Sequence, residues 1–174
     1  IEKYLIINGC KILPKNFATD SSDILNIDQC FLKGNKVYFI EQKFRDDHDS
    51  TKKRGQIENF EKKLNLLINQ YSEEKLVGIF YFIDPDFVKN KKFYELELKK
   101  MTKDYNVETK IFYGKFLFDF LECPDIWDEI LKYLEIWKKE IPDLPEINFD
   151  LDAINTFEEI KDLNPYVFRK LFTN

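Results

Sequence analysis

One stretch of the chain is apolar almost without interruption and constrains the fold more than any other. It runs from Leu76 to Ile83 and ends at Asp84-Pro85. A short continuous apolar run bounded by turn residues is typical of a central strand buried on both faces. We therefore expect other elements to pack on both sides of it.

A β-hairpin is predicted upstream of this strand. Ile27–Leu32 and Val37–Lys43 are rich in apolar, β-branched and aromatic residues, and Lys33–Lys36 between them has the composition of a turn. Two such runs around a Gly-Asn pair are a hairpin signal. Since the second run is followed by a helix and then by the apolar strand, the chain rejoins the same sheet by a right-handed crossover.

Three charged residues are expected to meet at the open end of this hairpin. Glu41 and Lys43 are two positions apart and share one face of their strand. Antiparallel pairing brings Asp28, at the start of the first strand, close to Glu41. Two carboxylates form an oxygen-rich site suited to Mg²⁺, and a lysine beside them can orient a water and offset charge on a phosphate. Metal-assisted phosphodiester hydrolysis requires this combination.

The spacing of Asp28 and Glu41-x-Lys43 resembles the signature of the PD-(D/E)XK nuclease superfamily, with Ile27 where that family has proline. The resemblance implies that Asp28 and Glu41 bind Mg²⁺ and that Lys43 acts near the attacking water. The compact size and helical extension look most like a type II restriction endonuclease. That implies hydrolysis of double-stranded DNA to 5′-phosphates, usually by a homodimer on a symmetric site.

The remaining patterns predict an α/β fold with a mixed central β-sheet flanked by helices. Residues 56–71 have the apolar spacing of an amphipathic helix, residues 91–105 form a second helix and residues 107–113 an edge strand. This β-β-α-β-α-β order matches a restriction-endonuclease-like core in residues 1–114. Residues 115–174 are interpreted as an acidic helical extension of the same domain.

Several shorter segments carry weaker expectations. Residues 4–10 are interpreted as a helix end or a strand, and residues 15–26 as a polar loop. An amphipathic helix is predicted at 125–140, a rigid break at 141–145 and a capping-box start at 155–160. A last short helix is expected after Asn164-Pro165.

Charge is distributed unevenly along the chain. The net charge is −5, but residues 1–114 hold 20 basic and 18 acidic groups, whereas residues 115–174 hold 7 and 14. Phosphate contacts need local positive charge, so any DNA surface is expected in the first two thirds. Lys52, Lys53 and Arg54 are candidates for phosphate contact, and Gln56 resembles a glutamine that points into the site in some superfamily members.

Other reactive residues point to no further site. His48 is the only histidine and lies in a polar loop, where a lone histidine has no special role in most proteins. The three cysteines fit neither a disulfide framework nor a zinc site, and we expect reduced thiols in the core. No apolar run is long enough for a membrane span and no signal peptide is recognisable, so we expect a cytoplasmic protein. Because the chain begins at Ile1, a preceding segment with another acidic residue is left open.

Two alternatives remain from the sequence. One is a DNA-repair or junction nuclease of the same superfamily. The other is a non-catalytic α/β interaction protein whose hairpin charges are incidental. Mg²⁺-dependent cleavage distinguishes the second from a nuclease, and trials on specific, branched and single-stranded DNA distinguish the first.

Overall fold

The computed structural model describes residues 2–18, 24–71 and 75–140, together with residues 154 and 158. The chain divides into two compact units, Ile1–Ile130 and Leu131–Asn174. The predictions for residues 141–145, for the segment after Asn164 and for most of 155–160 lie outside the described residues. An acidic extension that begins at residue 115 stays a prediction.

The first unit holds the predicted sheet and its helices. In chain order the described elements are α1 (Glu2–Ile7), β1 (Lys11–Ile12), β2 (Asn16–Ala18), β3 (Ile24–Asn26), β4 (Gln29–Lys33), β5 (Lys36–Lys43), α2 (Ser50–Gln70), β6 (Lys75–Phe82), α3 (Lys91–Tyr105), β7 (Glu108–Tyr113), α4 (Phe116–Phe120) and α5 (Asp125–Glu140). Helix α5 continues into the second unit.

The main sheet is mixed, as predicted. Its five strands have the order β1-β4-β5-β6-β7. Strands β1, β4 and β5 pair antiparallel, whereas β5, β6 and β7 pair parallel. The apolar strand β6 is therefore interior, and residues 76–82 are all buried. The predicted edge strand is β7, at one end of the order.

Two apolar cores sandwich this sheet. On one face, Phe39 and Phe80 pack against Phe60 of α2 and Tyr94 of α3. The core on the other face joins strand residues to α1, α4 and the start of α5. Helices thus cover both faces, which is the α/β architecture that the buried strand predicts.

Two local predictions differ from the structure. Helix α2 begins at Ser50 rather than at Gln56, because Asp49 accepts hydrogen bonds from the backbone N–H groups of Thr51 and Lys52 and caps a highly charged first turn. Residues 15–26 contain the short paired strands β2 and β3 instead of a loop only. The segment at residues 4–10 contains the end of helix α1, which is one of the two structures predicted for it.

The three cysteines are buried and free, as predicted. Burial raises the pKa of the Cys30 thiol to about 12. The thiol therefore stays protonated at neutral pH and is no candidate for a nucleophile.

None of the described helices combines the length and the apolar character that a membrane span needs.

Candidate active site

The hairpin positions the predicted acidic pair. Strands β4 and β5 join through the two-residue loop Gly34-Asn35, with Gly34 at φ 61°, a backbone conformation that glycine adopts without strain. Their register ends with Gln29 opposite Ile40. Asp28 immediately precedes β4, and Glu41 is the next residue of β5 after Ile40.

A hydrogen bond fixes Asp28 at this place. Its Oδ2 accepts the backbone N–H of Gln42 at 2.7 Å. No described residue donates to the other oxygen, Oδ1. One carboxylate oxygen is thus held against the β5 backbone at Gln42, the residue that follows Glu41.

Glu41 is the centre of the site. Its side chain is only 3% exposed, and each of its two oxygens accepts from a different lysine. Lys43 Nζ lies 2.6 Å from Oε1, and Lys63 Nζ lies 2.5 Å from Oε2. Because a buried carboxylate without a partner is very costly, these two ammonium groups account for the presence of an acid at this depth.

Lys63 is a site residue that sequence reasoning missed. It lies in the middle of α2, on the face that carries Phe60, Leu64 and Leu67. The sequence does indicate that this residue is unusual, since a lysine there interrupts an otherwise apolar helical face. Buried lysines are rare unless paired, but the sequence does not show which acid would be the partner.

A second buried cluster lies next to the site. Asp46 is fully buried and accepts three hydrogen bonds, from the backbone N–H of Asn90, from Asn90 Nδ2 and from the Tyr113 hydroxyl. Asn90 Nδ2 also donates to the backbone oxygen of His48. These bonds tie the loop after β5 to the start of α3 and to the end of β7.

The other predicted site residues, on α2, separate into those with contacts inside the protein and those that are exposed. Lys53 donates to Asn90 Oδ1 at 3.1 Å and stands over the Phe93 ring, so it belongs to the buried cluster. Gln56 accepts from the Tyr94 hydroxyl at 2.8 Å, and no described contact joins it to Glu41. Lys52 and Arg54 are exposed on the first turn of α2.

His48 has a local role only. Its ring lies 3.2 Å from the Asp47 carboxylate, and its backbone oxygen binds Asn90. No described contact joins it to Asp28 or Glu41. The sequence analysis likewise assigns His48 no special role.

An arginine between two aromatic rings follows β5. Arg45 stacks over Phe87 at 4.4 Å and over Phe44 at 5.6 Å, and it pairs with Asp84 at 3.1 Å. Both phenylalanine rings are exposed. These contacts join the loop after β5 to the loop after β6.

Asp28 and Glu41 are the residues that the sequence predicts to hold a metal ion. Within the described part of the chain, no cluster of three or more His, Cys, Asp and Glu side chains is arranged to hold a metal ion. Two carboxylates with remaining positions filled by water suit Mg²⁺, which keeps several waters when it binds to proteins.

Comparison with known proteins gives one match. Residues 3–138 match the family model described as "Type II restriction endonuclease, HinfI". The match covers the whole sheet, both carboxylates and both lysines of the site. No curated protein and no solved structure matches the chain.

Proposed function

Because the chain belongs to the HinfI family of type II restriction endonucleases, we propose that it hydrolyses phosphodiester bonds of double-stranded DNA at a specific sequence with the help of Mg²⁺. The observation that carries this proposal is the buried Glu41 with Asp28 beside it and Lys43 on its outer oxygen. A cytoplasmic location and a homodimer on a symmetric site, both expected from the sequence, remain part of the proposal.

Asp28 and Glu41 would hold the metal ion. Oδ1 of Asp28 and Oε1 of Glu41 are the oxygens that the arrangement leaves for it, once Lys43 moves away from Oε1. When bound, the ion would act as a Lewis acid that favours ionisation of a water and stabilises charge on the phosphate. The protein supplies the rigid placement of both oxygens at the end of β5.

Lys43 would act on the attacking water and on the phosphate. Its side chain is 25% exposed, so the ammonium can exchange Glu41 for a substrate without leaving the site. A cation at this position orients a water by hydrogen bonding and offsets the charge that develops on the phosphate oxygens. Lys52 and Arg54, exposed one helical turn from the Asp49 cap, would bind the DNA backbone.

Substitution of the three site residues tests the proposal. We expect Lys43→Met to lower Mg²⁺-dependent cleavage of plasmid and phage DNA by about 10²–10⁴-fold, the range for loss of a group that assists proton transfer. Asp28→Asn and Glu41→Gln each remove a carboxylate that would hold the metal ion, and we expect cleavage by these variants to fall at least as far. Discrete fragments with Mg²⁺, and none with EDTA, are expected from the unaltered protein.

Glu58→Gln is the matched control, because Glu58 is an exposed carboxylate on α2. Melting curves and DNA binding in Ca²⁺ separate loss of chemistry from loss of fold. Undiminished cleavage by the Glu41→Gln or Lys43→Met variant would refute the assignment. Cleavage confined to branched or nicked DNA would favour the repair or junction nuclease instead.

A further inference from the structure

Lys63 is placed unlike any other lysine of the described chain. It is 5% exposed in the middle of α2, among residues of the apolar core. A methionine of similar length would occupy this space without the cost of removing an ammonium group from water, and such replacements of buried ion pairs are often neutral or stabilising. Core packing alone therefore does not explain a lysine here.

The two lysines on Glu41 differ in their freedom to move. The Lys63 side chain is 6% exposed and enters the site from a packed helix, whereas the Lys43 side chain is 25% exposed and lies at the end of a strand. When a cation or a phosphate enters, Lys43 can turn away from Oε1. Lys63 has no comparable space and stays on Oε2.

We propose that Lys63 is a positioning residue that keeps Oε2 of Glu41 and thereby restricts the site to one divalent ion, bound between Glu41 Oε1 and Asp28. This inference rests on the proposed function. Two-metal sites place their ions about 3.5–4 Å apart, which calls for shared oxygen ligands. An ammonium group on Oε2 removes one such oxygen, and its positive charge repels a second ion.

The test measures metal binding in the absence of DNA cleavage. Mn²⁺ is titrated into metal-free protein and followed by electron paramagnetic resonance, for the unaltered chain, Lys63→Met, Lys63→Arg and Lys62→Met. Lys62 is the matched control because it is the neighbouring lysine on α2 and is exposed.

We expect one Mn²⁺ per chain for the unaltered protein, for Lys62→Met and for Lys63→Arg, which retains the positive charge. For Lys63→Met we expect a second Mn²⁺ per chain, because Oε2 of Glu41 is then free to bind a metal ion and the repelling charge is gone. Lys63→Met should lower kcat for cleavage and leave KM unchanged, because Glu41 loses its fixed orientation.

Equal numbers of bound Mn²⁺ in Lys63→Met and Lys62→Met would overturn the inference, as would two ions in the unaltered protein. If Lys63→Met does not fold, as judged by its melting curve, two ions in Lys63→Arg would overturn it instead. Failure of the proposed function has a different signature. In that case Mn²⁺ does not bind the unaltered chain, or binds equally well to Glu41→Gln, and the inference about Lys63 fails with it.

Discussion

At the scale of single residues, the candidate site depends on buried carboxylates whose oxygens all accept hydrogen bonds. Glu41 has a lysine on each oxygen, and Asp46 has three donors. Both residues come from one short segment that begins in β5 and continues into the next loop. The core therefore holds the Glu41 carboxylate and the loop that follows β5 with hydrogen bonds as well as with apolar contacts.

Removal of the Asp46 carboxylate should be strongly destabilising. In Asp46→Ala, the backbone N–H of Asn90 and the Tyr113 hydroxyl lose their acceptor inside the protein. A buried unsatisfied donor costs about 1–3 kcal/mol, so we expect the free energy of unfolding to fall by about 3 kcal/mol. Urea denaturation measures the change.

Asp47→Ala serves as the comparison for this prediction. The Asp47 side chain is 48% exposed, and substitution of such a surface residue is expected to change the free energy of unfolding by less than about 0.5 kcal/mol. Similar losses in the two variants would mean that the Asp46 cluster contributes little to stability.

At the scale of elements, close packing of aromatic rings fixes how α2 lies on the sheet. Gly78 of β6 is opposite Phe39, and a Cβ atom there would lie 2.8 Å from Phe39 Cε1 and 3.0 Å from Phe60 Cζ. The glycine thus provides the space in which the Phe39 and Phe60 rings meet, one helical turn before Lys63. The same packing that stabilises the core also sets the height of Lys63 above Glu41.

Two glycine substitutions should have opposite effects on stability. Gly78→Ala forces rings apart in a filled core, and we expect a loss of about 1–3 kcal/mol. Gly55→Ala in α2 meets no atom within 4 Å and removes a glycine from a helix, so we expect a gain of about 0.5–1 kcal/mol. Urea midpoints should move in opposite directions, and a shift of the same sign in both variants would contradict this account of the packing.

The elements that the sequence predicts best have the strongest periodic patterns. β6, α3 and β7 were expected within about one residue of their observed bounds, because a continuous apolar run and a regular apolar helical face each have few alternative interpretations. The start of α2 was missed because its first turn contains no apolar residue and depends on the Asp49 cap. The strands β2 and β3 have only three residues each, which is too short for alternation to be recognised.

Part of the arrangement around Glu41 follows from the sequence. Asp28, Glu41 and Lys43 could be brought together because they belong to one hairpin, whose register follows from its turn. Lys63 lies 22 residues from Glu41 and Asn90 lies 44 residues from Asp46. Contacts over such separations depend on how α2 and α3 pack on the sheet, and no local pattern determines them.

At the scale of the whole molecule, the uneven charge predicts that DNA binds to the first two thirds of the chain. Residues 1–114 have a net charge of +2 and contain every proposed catalytic residue, whereas residues 115–174 have a net charge of −7. A polyanion is attracted to the first region and repelled by the second. Bound Mg²⁺ would add further positive charge beside Asp28 and Glu41.

The salt dependence of DNA binding should report the basic residues of α2. With Ca²⁺ in place of Mg²⁺, the logarithm of the association constant falls linearly with the logarithm of salt concentration, by about 0.9 for each phosphate contact. The double variant Lys52→Ala/Arg54→Ala should reduce this slope by about 2. Fluorescence anisotropy with a labelled duplex between about 50 and 200 mM salt is a suitable measurement.

Two exposed lysines of the acidic region provide the control. The double variant Lys132→Ala/Lys139→Ala also removes two positive charges, but we expect an unchanged slope. An equal reduction in both double variants would mean that the net charge of the chain, rather than contacts made by α2, governs binding.

The parallel pairing of β5 with β6 also affects the order in which the molecule assembles. The β4–β5 hairpin closes through two residues, so Asp28 can reach Glu41 through contacts that are local in sequence and fast to form. Lys36 pairs with Lys75, 39 positions later, and Lys63 lies within the connecting helix, so this contact requires closure of a long loop. We therefore expect nascent chains to bring Asp28, Glu41 and Lys43 together before Lys63, the second amine on Glu41, arrives, and docking of α2 to be the step that completes the arrangement around Glu41.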